Sequence, residues 1–190
     1  TDNPIDINIG LSQSKAGQGA TKFLIDLGHR KIGFIVGQLD VRAASRLNGY
    51  KKAMQEADLP WDGLIATSLK HSTINLGSAI MNKLFEERKV PDAIFCIDDN
   101  LALGALMQCR KLGLRVPDDI SILGFHDLEF AAYASPSLSS VATHRRKLGE
   151  LAAKTAISAM TKKLSDADHR IDLGYEIIVR QSTHGRTPEK

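Results

Sequence analysis

Short apolar runs alternate with longer amphipathic segments along most of the chain, and this alternation is the strongest constraint on its fold. Residues 31–36 (KIGFIV), 92–97 (DAIFCI) and 120–125 (ISILGF) are almost continuously apolar, as expected of strands that are covered on both faces. Between them, apolar residues recur three and four positions apart, which is typical of helices. The order of these segments predicts an α/β fold with a parallel, doubly wound sheet and right-handed crossovers.

The composition is that of an ordinary globular protein. Of the 190 residues, 43% are hydrophobic and 25% are charged, so we expect a sizeable core and no extensive disorder. The net charge of +3 is spread along the chain and gives no sign of a nucleic-acid surface. No apolar run approaches the roughly 18 residues of a membrane span, and no signal peptide is visible, so we expect no membrane association. Cys96 and Cys109 lie in apolar patterns, which favours buried thiols in a reducing, cytoplasmic setting.

Polar residues that could take part in chemistry follow three of the predicted strands. The segment 38–46, ending at Arg46, follows the first of them, Asp98 and Asp99 follow the second, and His126 and Asp127 follow the third. The carboxyl ends of parallel strands meet at one edge of a sheet, where α/β proteins bind their ligands. We therefore expect these three segments to form one site.

Patterns typical of metal binding and catalysis do not occur. No His, Cys, Asp or Glu pair has the short fixed spacing of a structural metal site. There is no Gly-x-Ser-x-Gly elbow, no Gly-rich phosphate loop and no obvious catalytic base to partner either cysteine. A receiver domain has its acidic pair after the first strand, its phosphate-accepting aspartate after the third and a lysine later in the chain, and here no suitably placed late lysine follows the acidic pair. We predict no catalytic residue, no metal ion and no cofactor.

A binding site for a polar small molecule remains, with an apolar wall on one side. The candidate contact residues are Arg46, Asn48, Ser72, Asp98, Phe125 and His126. Plainer roles are also open for several of them. Asp98 and Asp99 are equally well placed to cap the helix that follows. Arg46 would otherwise be a solvated helix residue, and His126 a loop histidine bound to backbone groups.

Residues 95–127, FCIDDNLALGALMQCRKLGLRVPDDISILGFHD, resemble the effector-binding core of the lactose-repressor/galactose-repressor (LacI/GalR) family of bacterial transcription regulators. In that family an apolar strand is followed by Asn-Asp, Ala-x-Gly, a helix, Gly-x-x-Val-Pro-x-Asp and a strand ending in Gly-Phe-Asp-Asp. The segments LGHRKIGFIVG, RLNGYKKAMQEADL, PSLSSVATHRRKLG and YEIIVRQST also occur in the family's order and spacing. The resemblance therefore covers nearly the whole chain.

The resemblance implies a periplasmic-binding-protein-like fold of type I, in which two α/β subdomains enclose a small effector. Residues 13–139 and 172–183 would form a nearly complete second subdomain. Residues 1–12 and 140–171 would be parts of the first, and residues 184–190 a tail. The family's helix-turn-helix domain has no counterpart in this sequence, so operator binding is expected only of the full-length protein, which we expect to be a homodimer.

The family's site residues can be carried over position by position. Arg46, in SRLNGY, matches the effector-contacting arginine of the family. Asp98 stands where the family often has asparagine, and Asp99 matches the largely structural aspartate after it. His126 replaces the first aspartate of Gly-Phe-Asp-Asp, and Asp127 matches the second, which we expect to hold the loop.

Two further positions, Ser12 and Ser72, correspond to residues near the cleft. Ser12 lies near a position where many members have an aspartate, and Ser72 near an aromatic position of some members.

The departures from the family pattern indicate an acidic effector. An aspartate at the position of His126 would repel an anion, whereas an imidazole donates a hydrogen bond and attracts the anion when protonated. Ser12 removes a second carboxylate near Arg46, whose planar guanidinium suits a carboxylate or a phosphate. Asp98 works against this interpretation. Because the segment LDVRAASRLNGY and the Gly-Phe-His sequence also resemble the gluconate-operon repressor branch, we predict gluconate or a related sugar acid as the effector.

The predicted function is thus the effector-binding and dimerisation portion of a transcriptional repressor, in which ligand binding shifts the balance between two subdomain arrangements. Two other kinds of protein with this fold class remain as alternatives. A transport-type sugar-binding protein would carry an export signal in place of the DNA-binding domain. A doubly wound α/β enzyme would turn over a sugar acid or sugar phosphate, for which the sequence shows no catalytic group.

Overall fold

The computed structural model describes residues 7–161 and 170–183, in which strands and helices alternate. The strands are β1 (Asn8–Gly10), β2 (Ile32–Val36), β3 (Ile65–Thr67), β4 (Ala93–Cys96), β5 (Ser121–His126), β6 (Ser139–Ala142), β7 (Arg170–Asp172) and β8 (Glu176–Ile178). The helices are α1 (Gln13–Asp26), α2 (Val41–Glu56), α3 (Ile74–Glu86), α4 (Asp99–Lys111), α5 (Phe130–Tyr133) and α6 (Arg145–Thr161). None of these helices is both long enough and apolar enough to span a membrane.

Six strands form one sheet in the order β3-β2-β4-β5-β6-β8, and β1 pairs separately with β7. Neighbours in the larger sheet are parallel except for β6 and β8 at its edge. The doubly wound α/β fold is therefore confirmed, with one antiparallel strand added. From β2 the chain passes outward to β3 and returns to β4 on the other side of β2. This reversal is a topological switch point, which leaves a crevice at the carboxyl ends of β2 and β4.

Local sequence explains where the main helices begin. Each of α1 to α4 follows a residue whose side chain accepts a hydrogen bond from the backbone N–H three positions later. These capping residues are Ser12, Asp40, Thr73 and Asp98. The caps satisfy helix N–H groups that have no acceptor within the helix itself.

An aromatic row forms the centre of the core. The rings of Phe34 and Phe95 have centroids 5.3 Å apart, and those of Phe95 and Phe125 are 6.3 Å apart. Tyr50 of α2 packs on Phe34 at 5.2 Å and donates a hydrogen bond to the carbonyl oxygen of Ile32. Residues four apart lie on the same face of a helix, so Arg46 lies beside Tyr50 over the same row.

Two helix pairs pack closely through glycine. A Cβ atom at Gly17 of α1 would overlap the backbone carbonyl of Arg46 in α2. A Cβ atom at Gly77 of α3 would overlap the carbonyl of Leu101 in α4 in the same way. The backbones of each pair therefore approach at distances that other residues would not allow.

The structure differs from the predicted elements near the end of the chain. Residues 136–141, interpreted as a crossing segment, include the first three residues of strand β6, and neither α5 nor β7 is predicted by the sequence. The predicted subdomain boundary between residues 139 and 140 falls inside β6, whose residues 140–142 pair with the larger sheet. Asp172 belongs to β7 in the smaller sheet, against which α6 packs at β1. β6 lacks a periodic apolar pattern, and its pairing with β5 and β8 decides its conformation.

Several predictions concern residues outside the described ones. The first part of the strand 5–11, the end of the helix 148–164 and the polar tail 184–190 fall at least partly in this category.

Candidate ligand-binding site

Arg46 lies at the switch point of the larger sheet and is held there by three contacts. Its side chain is buried, and Nε donates a hydrogen bond of 2.6 Å to Oε1 of Gln13. Nη1 donates a hydrogen bond of 2.7 Å to the carbonyl oxygen of Ile97, directly after β4. The guanidinium carbon lies 3.8 Å from the centre of the Phe125 ring, which supports it through a cation–π contact.

These contacts leave the arginine charged and still able to bind. Two of its five N–H groups are engaged, and the other three have no acceptor among the described residues. Burial lowers the pKa of Arg46 to about 10, Asp40 raises it and Arg42 lowers it further, so the side chain is cationic at neutral pH. The alternative of a solvated surface arginine is therefore wrong. A fixed guanidinium with unused donors suits a carboxylate or a phosphate.

The structure corrects the role of Phe125. The sequence predicts an apolar wall of the site, but this side chain is fully buried below the guanidinium of Arg46. Its other ring neighbours are Phe95 and His126. Phe125 therefore positions Arg46 and does not itself face the cleft.

His126 ends β5 and lines a cavity of about 880 Å³. Its ring lies edge-on to Phe125, with centroids 5.0 Å apart. Burial lowers the pKa of His126 to about 4, and the positive charges of Arg46 and Arg145 act in the same direction. At neutral pH the imidazole of His126 is therefore uncharged. The neutral ring carries one N–H donor and one acceptor.

The backbone at His126 and Asp127 has a left-handed conformation that residues other than glycine rarely adopt. The φ angles are +101° and +50°. The N–H of Asp127 donates to Oγ of Ser140 at 3.0 Å, and its carboxylate accepts from Nη1 of Arg180 at 2.7 Å. These contacts hold the turn from both sides.

Asp99 supports the same turn from beneath. It is fully buried, and its two oxygens accept hydrogen bonds from Oγ of Ser140 at 2.6 Å and from the N–H of Leu128 at 2.7 Å. Burial raises the pKa of Asp99 to about 6, although both hydrogen bonds act in the opposite direction. Its neighbour Gly124 has no room for a Cβ atom, which would overlap Oδ1 of Asp99.

Asp98 takes the plainer role that the sequence leaves open. Its Oδ1 accepts a hydrogen bond of 3.0 Å from the N–H of Leu101 and so caps α4. Oδ2 makes no hydrogen bond with any residue that the structure describes. The charge of Asp98 also acts on Arg46 and His126, raising the pKa of each, so it lies close to both.

The structure brings Ser12 and Ser72 to the same edge of the fold. Ser12 caps α1 by accepting from the N–H of Lys15 at 3.3 Å, and it lines a second cavity of about 560 Å³ together with Arg42. Ser72 lies next to Gly37 directly after β2, where a Cβ atom would touch its hydroxyl oxygen.

Asn48, by contrast, is not brought into the cleft. It is exposed, and two positions along a helix place it roughly 200° around the axis from Arg46.

Sequence reasoning missed four residues at the site. They are Gln13, Ser140, Arg145 and Arg180. Ser140 and Arg145 could have been found by treating 139–142 as a strand, because its parallel pairing with β5 places the residues after it at the same sheet edge. Arg180 follows the antiparallel strand β8, so its backbone lies near the amino end of β6, and only its long side chain reaches Asp127.

The described residues contain no group of three His, Cys, Asp or Glu side chains arranged to hold a metal ion. What they contain is an α/β sheet with a buried arginine, an imidazole and a carboxylate gathered at its switch point. This fold and this crevice define the class of α/β proteins that bind polar small molecules at the carboxyl ends of their strands.

The protein-family model for the periplasmic binding protein-like domain matches residues 21–183 of this chain. The chain therefore belongs to the periplasmic binding protein-like domain family.

Individual relatives are transcription regulators. The chain is 34% identical over 175 residues to the HTH-type transcriptional regulator GntR of Pseudomonas aeruginosa, matching 92% of this chain and 51% of that protein. The chain thus spans about half the length of the curated relatives it matches. These matches confirm the resemblance to regulators of the lactose-repressor/galactose-repressor type.

Solved structures show the same relationship. The transcription regulator GntR from Chromobacterium violaceum aligns with a TM-score of 0.88 and 39% identity, over 93% of this chain and 65% of that one. A sugar-binding transcriptional regulator of the LacI family from Escherichia coli, complexed with phosphate, aligns with a TM-score of 0.84 and 26% identity, over 92% of this chain and 62% of that one.

Proposed function

We propose that this chain is the effector-binding portion of a ligand-controlled transcription regulator and that its effector is a sugar acid of the gluconate type. The carboxylate of the effector binds the three unused N–H groups of Arg46, and binding involves no chemical turnover. The fixed, buried guanidinium of Arg46 is the observation that carries this proposal. Sugar binding by a relative with the same fold supports the choice of a sugar-like ligand.

The charges around Arg46 favour an anion over a neutral sugar. The positive charges of Arg42 and Arg145 add to that of Arg46 in the cleft. The charge of Arg42 is offset by Asp40, whose Oδ2 lies 3.8 Å from Nη2 of Arg42. Asp98 is a second carboxylate whose charge acts on Arg46, and one of its oxygens already caps α4. The cleft therefore keeps a positive charge for an acidic ligand to neutralise.

His126 acts as a neutral hydrogen-bond donor to the effector. An aspartate in its place would add a negative charge within reach of the bound carboxylate. A bound anion also stabilises the protonated form of an imidazole, so effector binding should raise the low pKa of His126. Protonation then strengthens the interaction in mildly acidic solution.

DNA binding, dimerisation and cellular location are proposed for the full-length protein. A separate helix-turn-helix domain recognises the operator, a homodimer presents two such domains, and the protein acts in the cytoplasm. The larger sheet with α1 to α4 forms most of one effector-binding subdomain, and the β1–β7 pair with α6 belongs to the other. Effector binding between them changes their arrangement and thereby the affinity for DNA.

Isothermal titration calorimetry on the full-length protein tests this function. Gluconate should bind, and glucose should bind at least about tenfold more weakly because it lacks the carboxylate that pairs with Arg46. The variant His126→Asp should weaken gluconate binding and leave glucose binding unchanged. Equal affinities for the two ligands, or an unchanged preference in the variant, would refute the sugar-acid assignment.

A further inference from the structure

Gln13, the first residue of α1, holds its side-chain amide against a charged group. Its Oε1 accepts the 2.6 Å hydrogen bond from Nε of Arg46. The backbones of α1 and α2 are in close contact near this bond. A Cβ atom at Gly17 would overlap the carbonyl of Arg46, and a Cβ atom at Gly49 would overlap the carbonyl of Ser14. The packing of the two helices therefore fixes the amide relative to the guanidinium.

The groups in direct contact with this guanidinium are uncharged. They are the amide of Gln13, the carbonyl oxygen of Ile97 and the ring of Phe125. Arg46 is only 5% exposed, and no carboxylate among the described residues forms an ion pair with it. Charged side chains that are buried this deeply are usually paired with an opposite charge. Arg46 is thus a buried cation without a counter-ion in contact.

The two acidic residues whose charges act on Arg46 are each engaged elsewhere. Asp40 caps α2 by accepting from the N–H of Ala43 at 2.7 Å, and its Oδ2 lies 3.8 Å from Nη2 of Arg42. Asp98 caps α4. Burial lowers the pKa of Arg46, and the charges of Asp40 and Asp98 act against this from outside hydrogen-bonding distance. They therefore compensate the charge of the arginine only in part.

The amide of Gln13 occupies the place where a counter-ion would fit best. Glutamine and glutamate side chains have the same length and nearly the same shape, so a glutamate could offer Arg46 an oxygen at the same point. Its carboxylate would form a charge-assisted hydrogen bond and neutralise the guanidinium. The amide oxygen accepts the same hydrogen bond without bringing a negative charge.

We propose that Gln13 is a specificity-determining residue, which holds Arg46 in place through a neutral contact and so leaves its charge for an acidic effector to neutralise. This inference rests on the proposed function, because it concerns the choice between a sugar acid and a neutral sugar. Gln13 acts through Arg46 and is a positioning residue in this sense.

Calorimetric titration of the full-length protein with gluconate and with glucose tests the role of Gln13. The variant Gln13→Glu keeps the acceptor oxygen but adds a negative charge. It should weaken gluconate binding by at least about tenfold, since two carboxylates then compete for one guanidinium. Glucose binding should change by less than about threefold, because a neutral ligand meets no such repulsion.

The melting temperature of the unliganded protein separates this effect from damage to the site. In Gln13→Glu the buried arginine gains a counter-ion, so the variant should melt at or above the temperature of the parent protein. Unchanged or increased stability together with weaker gluconate binding is the result expected of a charge effect. A variant that merely disturbs the packing of α1 on α2 would lose both.

Gln55→Glu is a matched control for the added charge. Gln55 is exposed near the end of α2, nine positions after Arg46 and roughly 13 Å further along the helix axis. This separation exceeds the roughly 8 Å over which charges in physiological salt act on one another. The control should change gluconate affinity by less than about twofold.

The possible outcomes separate this inference from the proposed function. If the parent prefers gluconate and Gln13→Glu keeps this preference, the role of Gln13 is overturned and the proposed function stands. If the parent binds the two ligands equally, or binds neither, both fail. Equal losses for both ligands in Gln13→Glu, with a lower melting temperature, would give Gln13 a structural role only and overturn the inference.

Discussion

The hydroxyl group of Ser140 donates a 2.6 Å hydrogen bond to the buried carboxylate of Asp99, across 41 positions of the sequence. Oγ of Ser140 also accepts a hydrogen bond from the N–H of Asp127. The second carboxylate oxygen of Asp99 accepts one from the N–H of Leu128. The left-handed backbone that presents His126 to the cleft therefore depends on one buried serine and one buried aspartate. Such a conformation persists only where the surrounding contacts enforce it.

Ser140→Ala should destabilise the protein by about 1–3 kcal/mol, because it leaves a buried carboxylate oxygen and the N–H of Asp127 without their partner. Effector affinity should fall as His126 loses its fixed orientation. Urea denaturation and calorimetry measure the two effects. Ser121→Ala is a matched control, since Ser121 is equally buried but its hydroxyl has no hydrogen-bond partner among the described residues. Equal losses of stability in the two variants would contradict the role of the Ser140 hydrogen bonds.

The pH dependence of stability should contain two opposing contributions. Asp99 has a folded pKa of about 6 against an ordinary value of 3.8, so the native state holds this proton more tightly than the unfolded chain. Its contribution to the free energy of unfolding therefore falls as pH rises between these two values. His126 has a folded pKa of about 4 against 6.5, so its contribution rises with pH over that interval.

Variants at the two positions should separate these contributions. Relative to the parent protein, the free energy of unfolding should rise more steeply with pH in Asp99→Asn and less steeply in His126→Gln. Urea denaturation at several pH values between about 4 and about 7 provides the slopes. Parallel curves for the parent and both variants would show that neither group has the pKa shift that its burial implies.

Arg46→Lys should weaken effector binding by about tenfold or more, although the positive charge is kept. An ammonium group cannot reproduce the planar contact with Phe125 and the fixed hydrogen bonds to Gln13 and Ile97. Calorimetric titration with gluconate measures the loss. Arg30→Lys is a matched control, because Arg30 also donates to backbone carbonyls but lies after α1, at the other edge of the sheet. A lysine at position 46 that binds as well as arginine would indicate that charge alone is recognised.

Gly77→Ala should destabilise the protein by about 1–3 kcal/mol, since its Cβ atom would overlap the backbone carbonyl of Leu101 and force α3 and α4 apart. Gly149→Ala makes the same chemical change within α6 at a place where no atom lies within 4 Å of the new Cβ. It should stabilise the protein by up to about 1 kcal/mol through the higher helix propensity of alanine. Thermal or urea denaturation of both variants tests the contrast, and losses of equal size would refute the close-packing argument.

The α/β order, the parallel strands and the starts of four helices follow from local sequence. Apolar runs such as 31–36 identify buried strands without knowledge of their partners, because side-chain periodicity and capping act over a few residues. The same local signals place Arg46, Asp98 and His126 after strand ends. Topology then implies that these residues share one edge of the sheet, as the structure shows for Arg46 and the end of β4.

Only the tertiary structure decides how these side chains are used. Phe125 lies beneath Arg46, Asn48 is turned away from the cleft, and Asp98 has one oxygen committed to its helix cap. The low pKa of His126 depends on its burial and on distant charges, and the partner of Asp99 comes from a strand that local patterns do not predict. Orientation, desolvation and hydrogen bonding between remote segments arise only when the chain is packed, so local sequence can place a residue at the site without determining its role there.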